Sequence, residues 1–409
     1  MPIKVFVMET LSFLFSTTFY PPYHIGGDAI HVKYLAEELM RRGHEVHVLY
    51  SLDAYKVKRK GLPEKAEPNG VYTYAIKTRF NLSSYAAYIL GNSSLITKKF
   101  KGLVKEIKPD VVHHHNISLL GHGLLRKQGS YLNLFTAHDY WLMCQQNNLL
   151  RKGSEICEGG SCFFCALKCG RSPQIWRSFT SFKTAIKSID LVISPSEYLR
   201  KRLTQEIDVK SVTIPNFVPP PPENISSADY SNYFLFVGTL EKHKGILNLL
   251  NLFKELRNDI NAKLIIAGAG SLKYYIQDFI EKNSLNDLIS FVGFVDDKTL
   301  YSLYANALAV IIPSIWPENA PLVALEALSV GTPVIASNNG GLPEIVSKID
   351  RKLIFSNQTE LENLLVGNSR IHFSRERLKE IYERDFSPKA YVTRYLEVIQ
   401  DIHPEELRS

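Results

Sequence analysis

No stretch of about 18 apolar residues free of charge occurs in this sequence, so no membrane-crossing helix is expected. The opening run Ile3–Phe15 is interrupted by Lys4 and Glu9 and lacks a clear cleavage site. Its apolar part Ile3–Met8 reads as a first strand and the run is not read as an export signal, which favours a cytoplasmic chain, with peripheral contact at the inner membrane face left open. A third glycine is missing after Gly268-Ala269-Gly270, because Lys273 stands in its place. That counts against a dinucleotide-binding dehydrogenase fingerprint. Cysteine is absent outside residues 144–169.

The 409 residues exceed what one hydrophobic core normally serves, so two domains of about 150–200 residues each are expected. A hydrophobic content of 45% and a charged content of 22% are those of a globular protein. The net charge of +7 favours anionic partners but says nothing of the fold.

Several apolar runs look like buried parallel strands. Val46–Tyr50 follows a helix expected over Asp28–Arg42, which is preceded by Gly26-Gly27 and stopped by Gly43. The segment Thr10–His24 between first strand and helix reads as a long loop. A helix N-terminus behind two glycines can receive a phosphate. Val111-Val112 leads into His113-His114-His115. Side chains alternate along a strand, so only His113 and His115 share a face, which argues against a three-histidine metal site. Leu134–Ala137 precedes His138-Asp139-Tyr140-Trp141, and Pro219–Pro222 is the strongest linker signal. Beyond it, Tyr233–Val237 leads through Gly238 and Thr239 to Lys244-Gly245 and a helix from Ile246. Cation and helix N-terminus together suit a diphosphate.

Residues 311–344 carry the densest pattern. A strand ends in Pro313-Ser314, a loop holds Glu318, and an apolar helix expected over Pro321–Val330 holds Glu326. Val334–Ala336 is a further strand, followed by Gly340-Gly341 and Glu344. A carboxylate on so apolar a helix needs hydrogen-bond donors. Both glutamates are expected at the carboxyl ends of strands, where open α/β sheets bind ligands.

This arrangement resembles the donor-site signature of the family 4 glycosyltransferases, nucleotide-sugar-dependent retaining enzymes. The opening Pro21-Pro22…Gly26-Gly27, Val111–His115, the His-Asp-Tyr-Trp segment and Lys244-Gly245 are similar to other parts of the family pattern. The resemblance implies an α/β chain of GT-B architecture, two Rossmann-like domains facing across an inter-domain cleft. Residues 1–217 would form the acceptor-side domain, with a Cys-rich insertion at 144–170, completed by a C-terminal helix at about 387–405. Residues 218–386 would bind the donor. The implied reaction moves a sugar from a nucleotide diphosphate sugar to a glycan or lipid-linked acceptor hydroxyl with retention, in glycan or cell-surface polysaccharide or glycolipid synthesis. It implies catalytic roles for His115 and Glu318. Donor contacts would come from Gly27, Lys244, Asn319, Ala320, Pro321, Leu322 and Glu326, and acceptor contacts from His138, Asp139 and Tyr140. No cofactor or catalytic metal is expected, since no Asp-x-Asp motif stands at a cleft strand end, and no nucleic-acid partner is expected. Two positions depart from the family pattern: Thr239 replaces the usual arginine, with Lys242 or His243 as substitutes, and Phe217 replaces a glycine. A GT-B sugar-nucleotide epimerase and a catalytically weak nucleotide-sugar-binding protein are the alternatives.

The cysteines have a separate logic. Cys157, Cys162, Cys165 and Cys169 have the spacing of a candidate structural zinc knuckle, with disulfides or buried free thiols as the other readings.

Overall fold

The structure is a computed structural model that describes residues 10–58, 70–78, 82–151, 155–157, 159, 161–225, 230–367 and 373–402. Apolar runs build two parallel sheets. The first domain contributes β1 (Ser12–Ser16), β2 (Glu45–Ser51), β3 (Tyr72–Ile76), β4 (Val111–His114) and β5 (Leu132–Thr136). A small antiparallel hairpin follows, β6 (Leu150–Arg151) with β7 (Glu155–Ile156), and then β8 (Leu191–Ser194) and β9 (Ser211–Thr213). The sheet order is β3-β2-β1-β4-β5-β8-β9.

The second domain contributes β10 (Tyr233–Val237), β11 (Lys263–Ala267), β12 (Ile289–Gly293), β13 (Ala309–Ile312), β14 (Val334–Ser337) and β15 (Ile354–Phe355), in the order β12-β11-β10-β13-β14-β15. Helices return the chain between parallel strands and cover both faces, which is why the strands are apolar without alternation.

The loop reading of Thr10–His24 needs correcting, because a strand runs through it. Residues 3–8, expected to form the first strand, lie outside the described residues. The central strand is Ser12–Ser16, inside the segment read as loop, and it pairs with both β2 and β4. Phe13, Leu14 and Phe15 are fully buried, so both faces of this short strand are core. The polar residues around it hide the signal: Ser16 Oγ hydrogen-bonds His114 Nδ1 at 2.6 Å.

Two segments cross between the domains and touch each other. Val218 N donates to Phe386 O (3.3 Å), and Tyr382 Oη donates to Val218 O (2.9 Å). Phe217 is fully buried, its ring 5.1 Å from His31 and 4.7 Å from Tyr391. A glycine there would leave a void between those rings. After the second crossing, the helix Pro388–Ile402 packs on the helix Gly27–Arg41 of the first domain. Its Tyr391, Tyr395 and Leu396 join the core that contains Phe13 and Phe15. Tyr395 Oη lies 2.9 Å from His113 Nδ1.

Candidate functional site at the domain interface

Both sheets point their carboxyl ends at one cleft, and loops from the two domains meet there. The loop after β13 carries Ser314 to Ala320. Tyr140 Oη, after β5, donates to Pro317 O (2.9 Å), and Asn319 Nδ2 donates back to His138 O (2.9 Å). Asn216 Nδ2 donates to Ala320 O (3.0 Å). On the same border, Glu344 accepts from the amides of Glu197 and Tyr198 (both 2.7 Å) at the start of the helix Glu197–Glu206. A carboxylate at a helix N-terminus gains from the unpaired amides and the dipole. Gly340 and Gly341 press against the backbone of Glu318 and Asn319, where a side chain would overlap carbonyl oxygens. Gly341 N donates to Glu318 O (2.6 Å).

Glu318 is 5% exposed and is not solvated. Its Oε1 accepts from Lys244 Nζ (2.5 Å) and Ser314 Oγ (2.7 Å). Burial alone would raise its pKa, but Lys244 and the hydrogen bonds outweigh burial and hold it below the usual carboxylate range. Lys244 also lies 5.2 Å from the Trp316 ring centroid. It precedes Gly245, whose positive φ of 74° and contact with Pro313 O leave no room for a side chain. Lys244 and Glu318, assigned separate tasks from the sequence, are ion-paired to each other in this structure.

Glu326 lies on the helix Leu322–Ser329, which starts one residue later than expected, with Pro321 as its N-cap. Tyr304 Oη donates to Glu326 Oε2 (2.8 Å), the donor this carboxylate needed. Burial nevertheless raises its pKa. Across the cleft, the helix Gly27–Arg41 starts with Gly26 as N-cap; a Cβ on Gly27 would lie 3.3 Å from Leu322 Cδ1. Two helix N-termini, one from each domain, therefore converge. Asp28 accepts from Asn116 Nδ2 (2.8 Å).

The alternation argument for the histidines describes the strand end. His113 and His115 lie side by side with ring centroids 4.0 Å apart and planes tilted by 36°, while His114 faces the other side toward Ser16. His115 Nδ1 is 3.0 Å from His138 Nε2. Burial first, and neighbouring imidazoles second, push His113 and His115 well below the ordinary value. Burial pushes His138 down to about 3. All three are therefore neutral at pH 7. His115 Nε2 and Asn319 Oδ1 are buried without a hydrogen-bond partner, two open valences at the cleft. Asp139 Oδ1 accepts from Trp141 N (2.8 Å), and burial raises its pKa to about 7. Near Thr239, burial and then Lys244 lower the pKa of His243, which weakens it as a substitute for the missing arginine.

The cysteines gather differently from the spacing reading. Cys157, Cys162 and Cys165 line a cavity of about 30 Å³ together with Cys144, whereas Cys169 is the C-cap of the helix Cys162–Lys168 and does not border it. No disulfide joins them, and among the described residues no three ligating side chains are placed to hold a metal ion. Cys169 lies at the opposite end of the helix from Cys162, apart from the other cysteines at this cavity.

Sequence models of two families match the chain in tandem: Glycosyltransferase Family 4 over residues 25–220, and Glycosyl transferases group 1 over residues 222–365. The chain belongs to the group 1 glycosyltransferases. It is 29% identical over 340 residues to an uncharacterised glycosyltransferase of Methanocaldococcus jannaschii, covering 80% of each chain. Among solved structures, this glycosyltransferase matches a sucrose-phosphate synthase from Thermosynechococcus elongatus. That match has a TM-score of 0.68 and 18% identity, over 96% of this chain and 99% of that one. The catalytic domain of starch synthase IV from Arabidopsis thaliana, bound to ADP and acarbose, matches with a TM-score of 0.66 and 15% identity, over 97% and 100%. The fold is GT-B.

Sequence reasoning missed Asn216, Ser314, Trp316 and Tyr304 as parts of this site. Of these, Ser314 and Trp316 lie inside the 311–344 pattern, where neither was given a role in the site.

Proposed function

We propose that this glycosyltransferase transfers a sugar from a nucleotide diphosphate sugar to an acceptor hydroxyl with retention of anomeric configuration, in glycan or cell-surface polysaccharide or glycolipid synthesis. The observation that carries the reading is the convergence of the Gly27 and Leu322 helix starts beside the Lys244–Glu318 pair. Converging amides and one cation form a diphosphate site. In this assignment Lys244 and the amides near Gly27 hold the diphosphate, and Glu326 holds the ribose. Glu318 and the amides of Asn319, Ala320, Pro321's neighbour Leu322 and their loop hold sugar hydroxyls. His115 contacts the sugar through its open Nε2, and His138, Asp139 and Tyr140 border the acceptor.

Glu318 is occupied by Lys244 and Ser314, which suits it to positioning and not to attack on the anomeric carbon. A front-face route follows. The bond from the anomeric carbon to the leaving phosphate oxygen breaks as the acceptor oxygen bonds on the same face. The acceptor's proton passes to that phosphate oxygen. The protein's share is orientation, charge stabilisation and exclusion of water. The ties between Tyr140, Asn319 and Asn216 and their backbone partners represent the closed cleft that such chemistry requires.

Thermal-shift screening against nucleotide diphosphate sugars, followed by turnover and NMR of the product anomer, tests this. At 100 times its Kd, the right donor should stabilise the fold by about 2.7 kcal/mol. If no such donor shifts the melting temperature, the donor site is wrong; an inverted product would refute retention.

A further inference from the structure

A cavity of about 430 Å³ opens immediately after the His138–Trp141 segment, at Leu142 and Met143. Arg177 stands in its wall. The guanidinium carbon lies 4.8 Å from the Trp176 ring centroid and 5.3 Å from those of Trp141 and Phe182. Nε donates to Gln174 Oε1 (2.6 Å), but Nη2 is buried without a partner. Among the described residues no carboxylate lies within ion-pair distance of Arg177. Burial lowers its pKa to about 10, which still leaves it charged at neutral pH. Asp139 acts on Arg177 only from beyond ion-pair distance; a buried guanidinium with an unused donor is costly, and an anion from outside would complete it.

Two exposed lysines, Lys183 and Lys187, border the same cavity one helical turn apart. Glu206 and Asp208 also border it, so three cations against two carboxylates leave a net +1. The remaining wall is apolar, with Phe182, Ile186 and Ile207. Outside it, the same stretch of chain exposes large apolar side chains. Phe164, Ile175 and Phe179 are 63%, 58% and 55% exposed. From residue 159 to residue 189 the sequence carries five basic residues and no acidic one. Exposed aromatics among charges of one sign fit an amphiphile with an anionic head.

We infer that this cavity anchors the acceptor, and that the acceptor's hydroxyl is borne by a glycan joined through a phosphate ester to an apolar chain. Arg177, Lys183 and Lys187 hold the phosphate, and the apolar wall and the exposed rim hold the chain. The inference rests on the reading of His138–Tyr140 as the acceptor side and narrows the acceptor's chemical class.

Calorimetric titration of the full chain tests it without turnover. The probes are farnesyl phosphate below its micellar concentration, farnesol and inorganic phosphate, with a nucleoside diphosphate titrated in parallel. Farnesyl phosphate should bind at least tenfold more tightly than either fragment. It should also change tryptophan fluorescence, because Trp141 and Trp176 flank Arg177. The double variant K183E/K187E should weaken it at least tenfold and leave nucleotide affinity unchanged. Both lysines are exposed, so folding is not at stake. Arg177→Gln should also weaken binding, with circular dichroism checking that the aromatic cluster survives. Binding of phosphate alone as tightly would mean a free-anion site only, and equal binding of farnesol an apolar pocket only. Either result, or unchanged affinity in the double variant, overturns the inference. If nucleotide binds and farnesyl phosphate does not, the anchoring site alone falls. If neither binds, the donor site fails with it.

Discussion

Replacing Lys244 by methionine keeps the length of the side chain and removes its charge. Glu318 then loses its strongest partner while it stays 5% exposed, with Ser314 Oγ as the remaining side-chain donor at 2.7 Å. Breaking a buried ion pair costs about 3–5 kcal/mol. The Lys244 side chain is 22% exposed, so some solvent screens the pair and the lower end, about 3 kcal/mol, is expected. For a domain of about 150–200 residues that lowers Tm by roughly 6–12 °C. Glu318→Gln leaves a lysine that can turn toward water, at a cost of about 1–2 kcal/mol. The double variant should therefore lie well above the sum of the singles. The pH dependence has a definite sign. The Glu318 pKa is depressed in the folded state, so the pair stabilises the fold above the unfolded carboxylate value of about 4.3. That contribution disappears as pH falls through the lower folded value. The deficit of Lys244→Met should thus be large at pH 7 and shrink toward pH 4. Calorimetry at a series of pH values with the full double-mutant cycle measures both quantities. Additive single effects, or a deficit equal at pH 4 and pH 7, would refute the argument. The donor's KM should also rise in Lys244→Met, because the diphosphate would lose its cation.

Other consequences are equally direct. Asp139→Asn should leave stability unchanged near pH 4 and raise it at pH 8, by an amount on the order of 2–4 kcal/mol. The raised carboxyl, about 7 in the fold, costs stability only as pH climbs from its unfolded value through the folded one; a melting profile parallel to the parent's across that range would rule this out. Glu326→Ala should weaken nucleotide binding by about tenfold or more, read by titration with the nucleoside diphosphate, since it removes the carboxylate proposed to hold the ribose, a bond that would be worth about 1.5–3 kcal/mol. Equal affinity would end its ribose assignment. Tyr140→Phe deletes one tie to Pro317 O at a cost of about 1 kcal/mol and should expand the donor-free protein in small-angle scattering. An unchanged radius of gyration would show that this bond does not hold the domains together.

Most strands were legible because residues such as Tyr233–Val237 and Val310–Ile312 form unbroken apolar runs between glycines and prolines. β1 was not, because five residues edged by serines carry too little apolar signal to stand out from a loop. The placement of His113 and His115 on one face follows from the two-residue period of a strand and needs no knowledge of the fold. The Lys244–Glu318 pair was illegible for the opposite reason. It joins positions 74 residues apart, and each residue carried a motif that suggested its own partner. Glu344 reaches across 146 residues to the amide of Tyr198, a contact that no local pattern encodes. Among the cysteines, spacing could not reveal that Cys144 borders the cavity and that Cys169, at the far end of a short helix, does not.

The return of the helix Pro388–Ile402 to the first domain sets an order of events during synthesis. His113 is made early, yet its Nδ1 partner, the Tyr395 hydroxyl, is made 282 residues later. Until then the faces of Phe13, Ala36 and Phe217 that this helix covers stay open, and the second domain, contiguous in the chain, can close first. The first half of the polypeptide is therefore the last to finish folding. If the chain were cut between the domains, the leading fragment would expose that seam permanently, and only the trailing fragment could seal it.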